Sequence, residues 1–320
     1  MDLQAYLQQV TRDVDTLIRR HFGDATGELG KASAHLLLAG GKRLRPSVLL
    51  LAADAVKKGS SFDLVPAALS MEVTHTFTLI HDDIMDQDAE RRGVPTVHTQ
   101  WDEPTAILAG DVLYARAFEF LSMAPATESA RIRAVSLLAR TCVEICEGQH
   151  MDMSFEGRED VTEPEYLEMV RKKTGALFAA SASIGAILAG GKPFQADALY
   201  QFGLQTGIAF QIQDDLIDLV SRSERTGKDR GSDIREQKQT LIAIMARERD
   251  LDLSLYRRVL TDEEADGLVS LLTREGVVAD VEAVAQRMVA NGIRSLNILP
   301  PSPERQLLEG LGQFFISRGY

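Results

Sequence analysis

The sequence predicts an all-α fold, a single large helical bundle around a central cavity, and three observations carry that prediction. Apolar residues recur at three- and four-residue spacing through most of the 320-residue chain, as expected where each helix buries one stripe. Glycine pairs and Thr-x-x-Glu signatures punctuate those stretches where helices should stop and start. The Val-Ile-Thr alternation that marks half-buried strands is missing.

Taken in order, the first periodic stretch is 5–22, and the second, 46–56, begins beyond the helix-stopping pair Gly40-Gly41. Stretches 65–85 and 195–220 are apolar until each ends in a cluster of aspartates. Stretch 106–122 is long and apolar enough to serve as a subunit interface. Stretch 131–151 carries both cysteines of the chain, Cys142 and Cys146, four apart with no further Cys for a zinc site, so they read as buried reduced thiols. Thr162-Glu163-Pro164-Glu165 opens 163–188, and Gly190-Gly191 closes it. After a short stretch at 240–245, Thr261-Asp262-Glu263-Glu264 resembles a capping box and opens 262–274. Stretches 278–296 and 303–315 follow, the latter beside Pro300, Pro301 and Pro303.

With 45% hydrophobic residues and no Ser/Gly linker, low-complexity tract or charge block, residues 1–320 read as one domain. A net charge of -12 excludes nucleic acid as a natural partner, because phosphate backbones need a basic surface. The N-terminus lacks the basic and apolar regions of a signal peptide, and no run reaches the roughly 18 apolar residues of a membrane span. The expected location is the cytoplasm.

The two aspartate clusters repeat one pattern, Asp82-Asp83-Ile84-Met85-Asp86 and Asp214-Asp215-Leu216-Ile217-Asp218. On a helix the first and last acids of Asp-Asp-x-x-Asp point the same way from adjacent turns, a repulsive spacing that calls for a cation. Oxygen-only donors suit Mg²⁺, which keeps several waters and completes its shell with phosphate. Gln211, Asp214, Asp215 and Asp218 share one stripe, and His75 lies two turns before Asp82 on the same face. Cations gather nearby in sequence: Lys42, Arg43 and Arg45 at a helix start, Arg91-Arg92 just after the first motif, Lys172-Lys173-Thr174, and the loop Gly227-Lys228-Asp229-Arg230. Helix N-termini beside Lys and Arg are ready anion sites.

Five motifs in order, Gly40 to Pro46, His75 to Asp86 with Arg91-Arg92-Gly93, Lys173-Thr174, Phe210-Gln211 with Asp214 to Asp218, and Gly227-Lys228 followed by Asp233 and Lys238-x-Thr240, resemble the trans-isoprenyl diphosphate synthase family over residues 38–242. The resemblance implies head-to-tail transfer of the prenyl group of an allylic diphosphate onto isopentenyl diphosphate, with release of diphosphate, in an all-α homodimer. It implies that Asp82, Asp86 and Asp214 hold Mg²⁺, three ions with substrate bound and replaceable by Mn²⁺, with Asp83, Asp215 and Asp218 supporting them. Arg91, Lys173, Thr174, Gln211, Lys228 and Lys238 would then bind the allylic diphosphate, and Lys42, Arg45, His75 and Arg92 isopentenyl diphosphate. By the same resemblance the released diphosphate takes the proton lost from the product.

Residues one or two turns before Asp82, namely Thr74, Phe77 and Thr78, are expected to form the floor under the growing chain. A single aromatic five residues before the first motif resembles archaeal-type enzymes that stop at geranylgeranyl diphosphate, with farnesyl diphosphate as intermediate or co-product. On an ideal wheel Thr78 lies about 40° from Asp82 and Phe77 about 140° away, so helix geometry alone does not aim Phe77 at the pocket. Farnesyl or longer-chain synthases are the alternatives for product. A class I terpene cyclase needs no Lys42, Arg45 and Arg92 set, and an inactive synthase subunit usually lacks one acidic motif, so the complete set speaks against both.

Overall fold

The computed structural model describes residues 2–220 and 232–317. Helix α1 (Leu3–Phe22) is capped by Asp2, whose carboxylate accepts the Ala5 amide, and buries Val10, Val14, Ile18 and Phe22 along one stripe. Helix α2 (Gly27–Leu38) has no counterpart among the periodic stretches, since two glycines and a run of Ala and Ser blur its pattern. Helix α3 (Leu44–Val56) starts two residues before Pro46, which is tolerated in a first turn whose N–H groups lack partners anyway. Helix α4 (Ser61–Met85) also starts early and passes through Pro66.

After α4 the chain makes a hairpin of two-residue strands, β1 (Glu90–Arg91) and β2 (Val94–Pro95). Arg92 and Gly93 between them both have positive φ, the requirement of a two-residue turn matched to strand twist. Two-residue strands are too short to show alternation, so the sequence carried no sign of them. A short helix α5 (Val97–Gln100) leads to α6 (Glu103–Ser122) and α7 (Glu128–Phe155).

Stretch 163–188 is helical throughout but is not one α-helix. Helix α8 (Glu163–Val170) opens with a full capping box between Thr162 and Glu165. Residues Arg171–Gly175 then form a π turn that closes when the Ala176 amide donates to the Arg171 carbonyl, and α9 (Ala176–Leu188) follows. All thirteen residues of α9 are buried, as a helix apolar on every face must be. It forms the centre of the bundle, with α3, α4, α7 and α10 (Pro193–Val220) around it. A Cβ at Gly185 would collide with the Leu49 carbonyl of α3, and one at Gly203 with the Phe178 carbonyl, so the flanking backbones approach closer than any side chain allows.

Beyond α10 come α11 (Ser232–Arg235), α12 (Leu241–Arg247), α13 (Asp262–Arg274), α14 (Val277–Ser295) and α15 (Pro303–Ser317). Helices α13, α14 and α15 pack on α10, and α15 also reaches α3. Of the two cysteines, Cys142 is buried as expected, but Cys146 is exposed. Among the described residues no helix is long and apolar enough to cross a membrane.

Candidate active site

Both acidic motifs lie in the last turns of their helices, α4 ending at Met85 and α10 at Val220. The macrodipole is negative there, so each cluster repels itself and its own helix end. The two ends meet across a cavity of about 710 Å³. Asp82 and Asp86 line it from α4, Asp214, Asp215 and Asp218 from α10, and Asp233 from α11. Arg45, Arg91, Arg92, Lys173 and Lys238 complete the rim, with His75, Thr174 and Gln211 between them.

Burial pushes the Asp82 carboxyl up to about 6, with Lys173 opposing and Asp86 adding to the rise. Asp83 is pushed up to about 6 by burial against the pull of Arg91. Asp215 lies well above the usual carboxylate range, first through burial and then through Asp233. A carboxyl whose folded value exceeds its unfolded one destabilises the fold wherever it must ionise, here above about pH 6, and protonation removes that penalty. Metal-free protein is therefore expected to gain urea resistance from about pH 7 to about pH 5. A saturating divalent cation should raise the midpoint most at the higher pH. A cation effect of equal size at both ends would contradict this account.

Several of the charged and polar groups are tethered by neighbours. Asp215 accepts from the Tyr166 hydroxyl at 2.6 Å and from Gln211 Nε2 at 2.9 Å, while Thr174 donates to Gln211 Oε1 at 3.0 Å. Lys173 pairs with Asp152 at 2.6 Å, and Arg91 pairs with Asp83 and Asp88. Arg92 donates to the Leu36 and Gly40 carbonyls. Arg45 lies over the Phe178 ring at 4.5 Å, its Nε buried without a hydrogen-bond partner, and burial lowers its guanidinium to about 10, still protonated at neutral pH. Burial and the surrounding arginines, Arg45 first, hold His75 well below its ordinary value, so it is neutral.

Other expected site residues lie elsewhere. Asp83 is fully buried behind Arg91, and Lys42 is exposed in the turn before α3, outside the cavity lining. Thr78 and Leu79 line the cavity, whereas Thr74 is buried one turn further down and donates to the Ser70 carbonyl. Phe77 faces α6, edge-on to Tyr114 at 5.3 Å and His81 at 6.1 Å. Lys228 and its loop lie outside the described residues. Sequence reasoning missed Asp88, Asp152, Tyr166 and Glu72, the last accepting from Arg43 and Arg92. A lone carboxylate in the apolar run of α4 was a legible signal for Glu72; Tyr166 had none.

The donors fit a hard divalent cation: carboxylate oxygens only, crowded at two negative helix ends. Among the described residues no three His, Cys, Asp or Glu side chains converge closely enough to enclose a metal alone. Acids on opposite walls, with the orphaned Arg45 Nε below, suit cations that take further oxygens from an anionic ligand between them.

The Polyprenyl synthetase family model matches residues 26–270. The chain is 48% identical over 295 residues to the geranylgeranyl diphosphate synthase of Methanosarcina mazei, covering 92% of this chain and 90% of that one. It is 46% identical over 308 residues to the geranylfarnesyl diphosphate synthase of Natronomonas pharaonis, covering 91% and 90%. The solved geranylgeranyl pyrophosphate synthetase of Geoglobus acetivorans superposes with a TM-score of 0.90 at 45% identity, covering 98% of this chain and 99% of that one.

Proposed function

Because the chain belongs to the polyprenyl synthetase family, we propose that it adds isopentenyl diphosphate head to tail onto dimethylallyl, geranyl and farnesyl diphosphates, ending at geranylgeranyl diphosphate. One observation carries the reading: a single cavity has two facing acidic motifs and, apart from them, a cation set around Arg45, His75 and Arg92. Two anions can thus be held side by side by different means.

Asp82, Asp86 and Asp214 would hold Mg²⁺, three ions replaceable by Mn²⁺, with Asp83, Asp215 and Asp218 supporting them, and the metal would supply positive charge to the leaving diphosphate. Arg91, Lys173, Lys228 and Lys238 meet the charge that grows on the leaving group. Thr174 and Gln211, already linked by a hydrogen bond, bind the same allylic diphosphate. Lys42, Arg45 and Arg92 orient isopentenyl diphosphate, and the neutral His75 donates a hydrogen bond without adding charge. The isopentenyl double bond attacks the allylic cation, and the released diphosphate takes the proton. No side-chain nucleophile takes part, and the bundle excludes water that would quench the cation.

The named relatives make products of different length, so the floor decides. Phe77 is wedged between Tyr114 and His81, a ring wall between α4 and α6 just past Thr78. Phe77→Ala is expected to shift products from geranylgeranyl diphosphate to chains one or more isoprene units longer, read by chromatography of radiolabelled products. Unchanged lengths would move the stop elsewhere. We read residues 1–320 as one domain and the protein as a cytoplasmic homodimer. The exposed Ile107, Leu108 and Tyr114 on α6 and Val143 on α7 support a subunit interface.

The test is incubation of purified protein with Mg²⁺, labelled isopentenyl diphosphate and each allylic diphosphate in turn. Geranylgeranyl diphosphate is the expected product. Diphosphate release without isopentenyl diphosphate would instead identify a cyclase, and no turnover a non-catalytic subunit.

A further inference from the structure

A second cavity, of about 360 Å³, opens between α7, α9 and α10 at the far end of the bundle. Asp197 on its rim precedes Asp214 along α10 by nearly five turns, about 26 Å, so this is not part of the site above. Its lining is rich in unused donors. Arg133 and Arg140 lie two turns apart on α7 with Ser136 between, and neither guanidinium finds an ion pair or hydrogen bond among the described residues.

Ser183 is the sharper sign. It is only 4% exposed, yet its hydroxyl makes no hydrogen bond among the described residues. Nearly every other buried Ser or Thr within a helix donates to a carbonyl three or four residues back, as Ser181, Thr74 and Thr206 do. The exception is Thr174, which turns into the catalytic cavity instead. Although the residue is buried, its oxygen is not sealed off but opens onto the cavity, where an acceptor on a bound molecule can take its hydrogen bond. The Tyr200 hydroxyl adds another donor, and Leu137 and Ile187 supply an apolar wall. Asp197, exposed at the edge, is the one acid of the lining.

We propose that this cavity is a second binding site for a prenyl diphosphate, its head on Arg133, Arg140 and Ser183 and its first isoprene units against Leu137 and Ile187. Two guanidinium groups match the many acceptor oxygens of a diphosphate, and one exposed acid cannot assemble a metal bridge. Binding here is therefore independent of divalent metal, unlike binding at the aspartates. The identity of the ligand rests on the function proposed above; the donor set does not.

Equilibrium dialysis of the full chain against radiolabelled geranylgeranyl diphosphate in EDTA tests the site. The double substitution Arg133→Ala with Arg140→Ala is expected to weaken this metal-independent binding about 10-fold or more, with the condensation rate at saturating substrate unchanged. Ser183→Ala, near-equal in volume, should weaken it by a smaller factor without touching any charge, and circular dichroism checks that both variants fold. Affinity unchanged in both folded variants overturns the site, as does absence of binding by the unaltered protein in EDTA. Competition by inorganic diphosphate as strong as by the prenyl compound overturns the part given to the apolar wall. Failure of the condensation assay with the dialysis effect intact removes the proposed function and leaves the site; the reverse removes the site alone.

Discussion

Asp82→Ala is expected to lower kcat/KM for condensation about 10³-fold, because under the proposed function one wall of the cavity would lose its hold on the cations that offset the leaving diphosphate's charge. The carboxylate is held where it is least comfortable, in the last turn of α4 beside Asp83 and Asp86, and burial has raised it to about 6. Alanine removes that repulsion, so the variant should be as stable as the parent or more so in EDTA while losing turnover. This opposite movement of stability and activity is the signature of a group kept for chemistry. Asp214→Ala on the facing helix should behave alike. Steady-state rates across a Mg²⁺ titration, with urea unfolding in parallel, check both; a loss below about 10-fold would remove Asp82 from the metal site.

Arg43→Ala is expected to do the reverse and strike the fold first. Arg43 is 2% exposed and donates to Asp15 at 2.9 Å, Glu72 at 2.5 Å and the Leu37 carbonyl at 2.8 Å. Its backbone is left-handed, and Gly41 beside it leaves room for the guanidinium groups of Arg43 and Arg92. Truncation strands Glu72, itself 2% exposed, with only a 3.4 Å contact to Arg92. Orphaning one partner of a buried pair costs about 3–5 kcal/mol, a melting shift of roughly 4–7 °C for a chain of this size. Arg43→Met combined with Glu72→Met should recover most of it. Calorimetry that finds less than about 1 kcal/mol for the single change would refute this role.

These two residues mark where the sequence was legible. Asp82 and Asp214 stand in a repeated motif whose helical spacing alone demands a cation, and the apolar periodicity upstream placed both on helices. Thr162 and Thr261 likewise announced their helices through local chemistry. Arg43 sits between Lys42 and Arg45 in what reads as one basic cluster, yet a single positive φ turns it into the core. Tyr166 and Asp215 are 49 residues apart, and Lys173 and Asp152 are 21 apart. No local pattern encodes such pairings, because they exist only once α7, α8 and α10 are packed.

The π turn at Arg171–Gly175 acts like a dislocation in a crystal. It stores one surplus residue between two otherwise regular stretches, and α7 is pressed against it so closely that Gly148 has no space for a side chain over the Lys173 backbone. Such a defect cannot heal locally. Deleting one residue from this turn would rotate all of α9 by about 100° against α8, taking buried faces out of phase with α3 and α10 or dragging Thr174 away from Gln211. Insertions and deletions in this segment should therefore be far less tolerated by natural variation than substitutions at the same positions.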